Sequence, residues 1–240
     1  MLKDYFEKIY CDGYEQFIKV LDDKLVKEEK SFVVTANPET LMIGTENKEF
    51  DKILRKKTTT IVPDGIGVVK AGNILNYNIT ERITGVDIVN HLLKSANKYN
   101  KSIYFLGAKE QVVSTLIEKV NNEYPNINVV GYKNGYVSNK DMAFEEMITL
   151  KPDVVLVALG IPVQELLIDK HYDRFKKGIF IGVGGSFDVI SGMKKRAPKM
   201  FIKFNVEWLY RILKEPKRLN RFYKSNIKFI SEVKKIKGMR

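Results

Sequence analysis

The chain has one cysteine, Cys11, and two histidines, His91 and His171, among 240 residues. A lone cysteine excludes an internal disulfide, and so few soft ligands leave no zinc site of the usual Cys/His kind. No run of about 18 apolar residues occurs, so no segment is expected to span a membrane. The opening "MLKDYFEKIY" mixes both charge signs and has no apolar stretch of the signal-peptide type, so a cytoplasmic location is expected. No Asp-x-Asp pair is found, which removes the simplest way to hold a divalent metal on a nucleotide diphosphate. A Gly-x-x-x-x-Gly-Lys phosphate loop is missing too, and "GVGGSFD" (182–188) lacks the third glycine of the dinucleotide fingerprint.

What the chain does have in excess is positive charge, and it is unevenly placed. The net charge is +12. From Lys194 to Arg240 there are 16 Lys and Arg against three acids, Glu207, Glu215 and Glu232, so this segment alone carries +13 and residues 1–193 carry −1. Such asymmetry points to an anionic partner for the tail: a membrane surface, a phosphorylated substrate or a nucleic acid. The alternative is a solvated helical face. The composition changes near residue 194, which divides the chain into a core (1–193) and a basic appendage (194–240).

Within the core, short apolar runs alternate with stretches of helical periodicity. Strands are predicted at 31–36, 59–63, 102–107, 127–132, 153–160 and 178–184, and helices near 14–28, 38–56, 84–99, 109–123, 139–150 and 162–176. The strand runs are continuously apolar, as a parallel sheet covered on both faces requires. The pattern predicts an α/β fold of Rossmann type, with a mostly parallel sheet and helices on both faces. Ligands of such sheets bind at the carboxyl ends of the strands. Turn glycines and polar residues gather at those ends: "TANPE" (35–39), "PDG" (63–65), "GIPVQE" (160–165) and "GVGGS" (182–186).

Each of these residues has two readings. Asp64 can cap the helix that follows or act as a general base toward a hydroxyl. Arg82 can bind a phosphate or form a surface ion pair of small worth. Asn37 and Gln164 can read a sugar or base, or cap their own turns. Gly184 and Gly185 can let backbone amides approach a phosphate, or form an ordinary tight turn with Ser186 as cap.

The tail reads as two basic amphipathic helices separated by Pro216. In the first, Phe201, Phe204, Trp208 and Ile212 share one face, and Lys203, Glu207, Arg211 and Lys214 the opposite one. In the second, Leu219, Phe222, Tyr223, Ile227, Ile230 and Val233 form the apolar face. Aromatics interleaved with bases suit an anionic membrane surface, and also a nucleic acid. A helix pair packed on the core is the plain alternative.

Seven motifs occur in order: "VVTANPE", "PDGIGVV", "ERITGVD", "LGIPVQE", "GVGGSFDVISG", "KRAP" and "EWLYRILKEPKR". Together they resemble the WecG/TagA/CpsF glycosyltransferases, over roughly residues 4 to 223. The resemblance implies an inverting, metal-independent enzyme without a cofactor. It would move N-acetylmannosamine from UDP-ManNAc to undecaprenyl-diphosphate-linked GlcNAc, as in the linkage unit of wall teichoic acid. Relatives act in enterobacterial common antigen or capsule synthesis, so a UDP-ManNAc-uronate donor is the alternative. The resemblance makes Asp64 the base and puts Thr35, Asn37, Arg82 and Gln164 in the pocket. It closes Arg211, Arg218 and Arg221 of the tail over the active site at the inner face of the membrane. Arginines and the backbone amides of the loop at Gly184 and Gly185 would supply the positive charge that a metal supplies elsewhere.

Two rivals remain at this level. A nucleic-acid-modifying Rossmann enzyme would want an acidic residue after the second strand to hold a ribose, where "PDG" leads straight into an apolar helix. A non-catalytic membrane scaffold has no need of polar groups at several strand ends. Nucleic acid is therefore not expected as a partner, and a homo-oligomer is left open.

Overall fold

A computed structural model describes residues 1–238; the side chains of Arg218 and Arg221 lie outside the described part. The chain opens with two helices, α1 (Leu2–Phe6) and α2 (Tyr14–Val26), before the first strand, β1 (Lys30–Ala36). Then follow α3 (Pro38–Glu46), α4 (Lys48–Arg55), β2 (Thr59–Pro63), α5 (Ile66–Ile74) and α6 (Gly85–Lys98). The second half continues with β3 (Ser102–Gly107), α7 (Glu110–Glu123), β4 (Asn128–Lys133), α8 (Lys140–Leu150), β5 (Val154–Ala158), α9 (Val163–Tyr172), β6 (Gly178–Gly182) and α10 (Ser186–Ile190). The tail forms α11 (Lys199–Lys203), α12 (Glu207–Lys214) and α13 (Arg218–Gly238).

The six strands form one sheet in the order β2-β1-β6-β5-β3-β4, and every pairing is parallel. The expected α/β architecture is thus observed, with helices on both faces. Alternation along a strand explains the two cores. In β1, Phe32, Val34 and Ala36 face one cluster, built with α1, α3, α5, α8 and α9. Val33 faces the other, built with α2, α6, α7 and α10. The central strands are buried on both sides, and all five residues of β5 are inaccessible. Burying each Val or Leu side chain stabilises the sheet by about 1.5–3 kcal/mol.

Several details differ from the sequence expectation. The stretch 38–56 is two helices, because Asn47 ends one and caps the next, its Oδ1 accepting from the Glu49 and Phe50 amides. The first tail helix is likewise broken. Asn205 takes a left-handed φ of 60°, which an asparagine tolerates better than most residues, and this separates α11 from α12.

The second tail helix carries apolar residues on two sides. Phe229 and Val233 are buried in the first core, where the Phe229 ring lies 6.3 Å from that of Phe6. Leu219, Tyr223, Ile227 and Ile230 stay exposed on the outside. Thus α13 is seated on the body, against α1, α3 and α5.

Candidate active site

The carboxyl ends of β2, β1, β6 and β5 are neighbours, so four of the polar loops share one rim. Asp64 follows β2. Its amide and that of Gly65 both donate to the Ala36 carbonyl at the end of β1, at 2.9 and 3.3 Å, which clamps the turn against its neighbour. Glycine at 65 suits this close approach, since a Cβ would meet Asn37 Cβ and Pro38 Cδ at 3.0 Å. The N-cap of α5 is Gly65, and no side chain caps that helix. The Asp64 carboxylate is therefore not spent on capping. Desolvation pushes its pKa above the ordinary carboxylate value; the charges of Arg211 and Arg82 pull it back, while Glu207 and Asp87 push it up again. The rim thus holds a poorly solvated carboxylate under the influence of two arginines.

The other candidate residues are placed as follows. Thr35, at the end of β1, donates its hydroxyl to the Gly182 carbonyl at 3.3 Å. Asn37 caps α3: its Oδ1 accepts from the Thr40 amide at 3.0 Å, and the Thr40 hydroxyl reaches back to the Asn37 amide. Gln164 is buried and joins two loops. Its Oε1 accepts from the amides of Gly160 (3.1 Å) and Gly184 (3.2 Å), and its Nε2 donates to Glu165 Oε1 at 2.7 Å. Gly184 has φ +48°, and a Cβ at either Gly184 or Gly185 would meet nothing within 4 Å, so this loop faces open space. Ser186 does not cap α10; its hydroxyl donates to the Val183 carbonyl. Arg211 is exposed, yet its charge reaches Asp64. Arg218 and Arg221 fall on side chains outside the described residues.

Arg82 is not a surface ion pair. Its Nη2 lies 2.6 Å from Glu207 Oε2, with only 14% and 7% of the two side chains exposed. Glu207 Oε1 also meets Arg196 Nε at 3.4 Å, and Arg196 forks onto both oxygens of Asp87 at 2.6 and 2.9 Å. Sequence reasoning assigned no role to Glu207, Arg196 or Asp87. All three stood inside quoted motifs, but nothing in a linear sequence pairs Arg82 with a residue 125 positions away. Glu165 was missed as well. It is buried, its Oε2 has no partner among the described residues, and burial pushes its pKa up to about 7.

The residue that α12 buries is a polar one. Glu207 is its one buried residue, while Trp208, Leu209 and Leu213 are exposed, as is Phe204 just before it. The Trp208 ring stacks on Phe222 of α13 at 4.7 Å, which ties the two tail helices together. Among the described residues no group of three His, Cys, Asp or Glu is placed to hold a metal ion, and no helix is long and apolar enough to cross a membrane.

The model of the glycosyl transferase WecG/TagA/CpsF family matches residues 7–239. The chain belongs to this family. As a family glycosyltransferase it has curated relatives with a common printed name, N-acetylglucosaminyldiphosphoundecaprenol N-acetyl-beta-D-mannosaminyltransferase. The protein from Bacillus subtilis (strain 168) is 39% identical over 206 residues, 85% of this chain and 80% of the relative. That from Bacillus spizizenii is 38% identical over the same shares. The Staphylococcus aureus (strain MW2) protein is 38% identical over 191 residues, 79% of this chain and 74% of its own. The rim loops and the tail motifs all lie inside the family match, so the glycosyltransferase includes α12 and α13 as well as the sheet.

Proposed function

We propose that this glycosyltransferase moves N-acetylmannosamine from UDP-ManNAc to N-acetylglucosamine carried on undecaprenyl diphosphate, with inversion and without a metal. The observation that carries the reading is the desolvated carboxylate of Asp64, which caps no helix and feels the charges of Arg211 and Arg82. The names of the curated relatives supply the substrate class.

An acceptor hydroxyl is nearly neutral and a poor nucleophile. Asp64 takes its proton as the new bond to the anomeric carbon forms, and UDP leaves from the opposite face. A single displacement of this kind inverts the anomeric configuration. An ordinary aspartate is a weak base; the raised pKa brings Asp64 closer to the working pH and makes it a better one. Negative charge grows on the departing diphosphate, and cations aimed at it lower the barrier. Arg211 and the open loop at Gly184 and Gly185 are suited to that task, with Arg218 and Arg221 as further cations, while Arg82, paired with Glu207, lines the pocket. Thr35, Asn37 and Gln164 shape the donor pocket, Gln164 by holding the two glycine loops together.

The acceptor lies in a membrane, and the tail suits its surface. Phe204, Leu213, Leu219, Tyr223, Ile227 and Ile230 are exposed beside Lys203, Lys214, Lys217, Lys224 and Lys228. Such a face binds anionic lipid by apolar burial plus surface charge. On this reading residues 194–240 both anchor the enzyme at the inner face of the membrane and complete its site.

A donor panel with a short-chain GlcNAc-diphosphate lipid tests the substrates, with release of UDP as the readout. UDP-ManNAc is expected to turn over fastest, to give the inverted anomer, and to be unaffected by EDTA. Preference for the uronate donor, or a loss with EDTA restored by magnesium, contradicts the reading.

A further inference from the structure

Asp87, Arg196, Glu207 and Arg82 form an alternating chain of two carboxylates and two guanidiniums, which sums to zero charge. It begins in the first turn of α6, where the Thr84 hydroxyl also bonds Asp87 at 2.6 Å, and ends at the rim beside Asp64. A neutral network adds no net positive charge for a leaving diphosphate. Its contribution is placement. Glu207 is the one member that belongs to α12, and it is the residue that helix buries. Arg211 stands four positions later, hence on the same face of α12 one turn along. With Glu207 fixed between two arginines of the body, Arg211 is delivered to where its charge reaches Asp64. The outward residues of α12 supply no competing seat, since Leu209 and Leu213 are exposed.

We propose that Glu207 is a positioning residue: by bridging Arg82 and Arg196 it sets α12 on the rim so that Arg211 stands beside Asp64. This rests on the glycosyltransferase reading only for its kinetic half. Glu207 Oε2 lies 2.6 Å from Nη2 of Arg82, so the pair fixes the end of the Arg82 side chain relative to α12.

The test uses the full chain and a soluble acceptor, for which membrane affinity is irrelevant. Without substrates, E207Q and R196M are expected to speed amide exchange across residues 207–214 by about tenfold or more: E207Q removes the carboxylate between two half-buried guanidiniums, and R196M removes one of the guanidiniums that hold it. Turnover by E207Q is expected to fall about 10–100-fold, and in an R211A background E207Q is expected to cost nothing further, since both changes remove the same arrangement. An equal loss in both backgrounds overturns the proposal. So does unchanged exchange, or a rise in turnover, which would make Glu207 a competitor for Arg82. Where E207Q fails to fold, D87N supplies the cycle from the half-buried far end of the network, with a smaller increase in exchange and the same non-additivity with R211A. Exchange that responds as expected in a protein with no transferase activity would leave the clasp standing and refute the functional reading instead.

Discussion

The body and the tail of this molecule bury opposite things. In the sheet, apolar side chains go inward and charges stay out: β5 and β6 are covered along their whole length. In α12 the one side chain that goes fully inward is a carboxylate, Glu207 at 5% exposure, while Leu213 looks out at 65%. The sheet is held by burial that is proportional to area and indifferent to salt. Seating of α12 depends on a few charged contacts at the rim. A helix that buries a carboxylate and leaves leucines in water is consistent with an apolar environment over those leucines and a charged task at the rim.

The largest effect on this comparison is expected from removing the charge of α12 that acts on Asp64. R211A is expected to lower turnover on a soluble acceptor by about 10²–10³-fold with no change in melting temperature, because Arg211 is exposed. Arg211 lowers the Asp64 pKa, so the acid limb of kcat/KM is expected to lie above the ordinary aspartate range in the wild type and higher still in R211A. A limb that moves down, or not at all, separates Arg211 from Asp64.

Substitutions at a buried apolar position of α13 and an exposed one of α12 separate the two roles of the tail. F229A empties a buried site in the body and is expected to cost about 3–5 kcal/mol in denaturant unfolding. L213S, on the outward stripe, is expected to change stability by less than about 0.5 kcal/mol yet weaken binding to anionic vesicles. Raising salt is expected to release wild-type protein from those vesicles, since surface attraction decays within about 8 Å at physiological ionic strength.

A smaller effect concerns Glu165. Its pKa rises from 4.5 to about 7 on folding, so the folded state holds a proton that the unfolded state releases between those values. Stability contributed by this group is therefore lost as pH rises from about 4.5 to 7. E165Q is expected to remove that dependence, with a gain over wild type that grows across the window to no more than about 3 kcal/mol. Equal pH dependence in both proteins contradicts a protonated Glu165.

The sheet was legible because buried parallel strands are written as unbroken apolar runs, such as "VVLVA" in β5. The rim was legible through its turn residues, and Asp64 through its place between a strand and a helix. What amphipathicity cannot state is which side of a helix faces the protein. The stripe of Glu207 and Arg211 was visible, but a buried carboxylate contradicts the usual bias, and only the contacts of Glu207 with Arg82 and Arg196 reveal it. Phe229 was hidden for a related reason: α13 has two apolar stripes, and the pattern made the outer one the more prominent. Gln164 and Asn37 were legible as polar rim residues, while their hydrogen bonds to loop and cap amides depend on the fold.

The account turns on Asp64, and its most direct test is turnover by D64N on a soluble acceptor. Asparagine keeps the shape of the side chain and removes the base, and α5 loses no cap, since its N-cap is Gly65. Turnover is expected to fall by about 10²–10⁴-fold while UDP-sugar binding and melting temperature are retained. D64N turning over near the wild-type rate would contradict the assignment of Asp64 as the base.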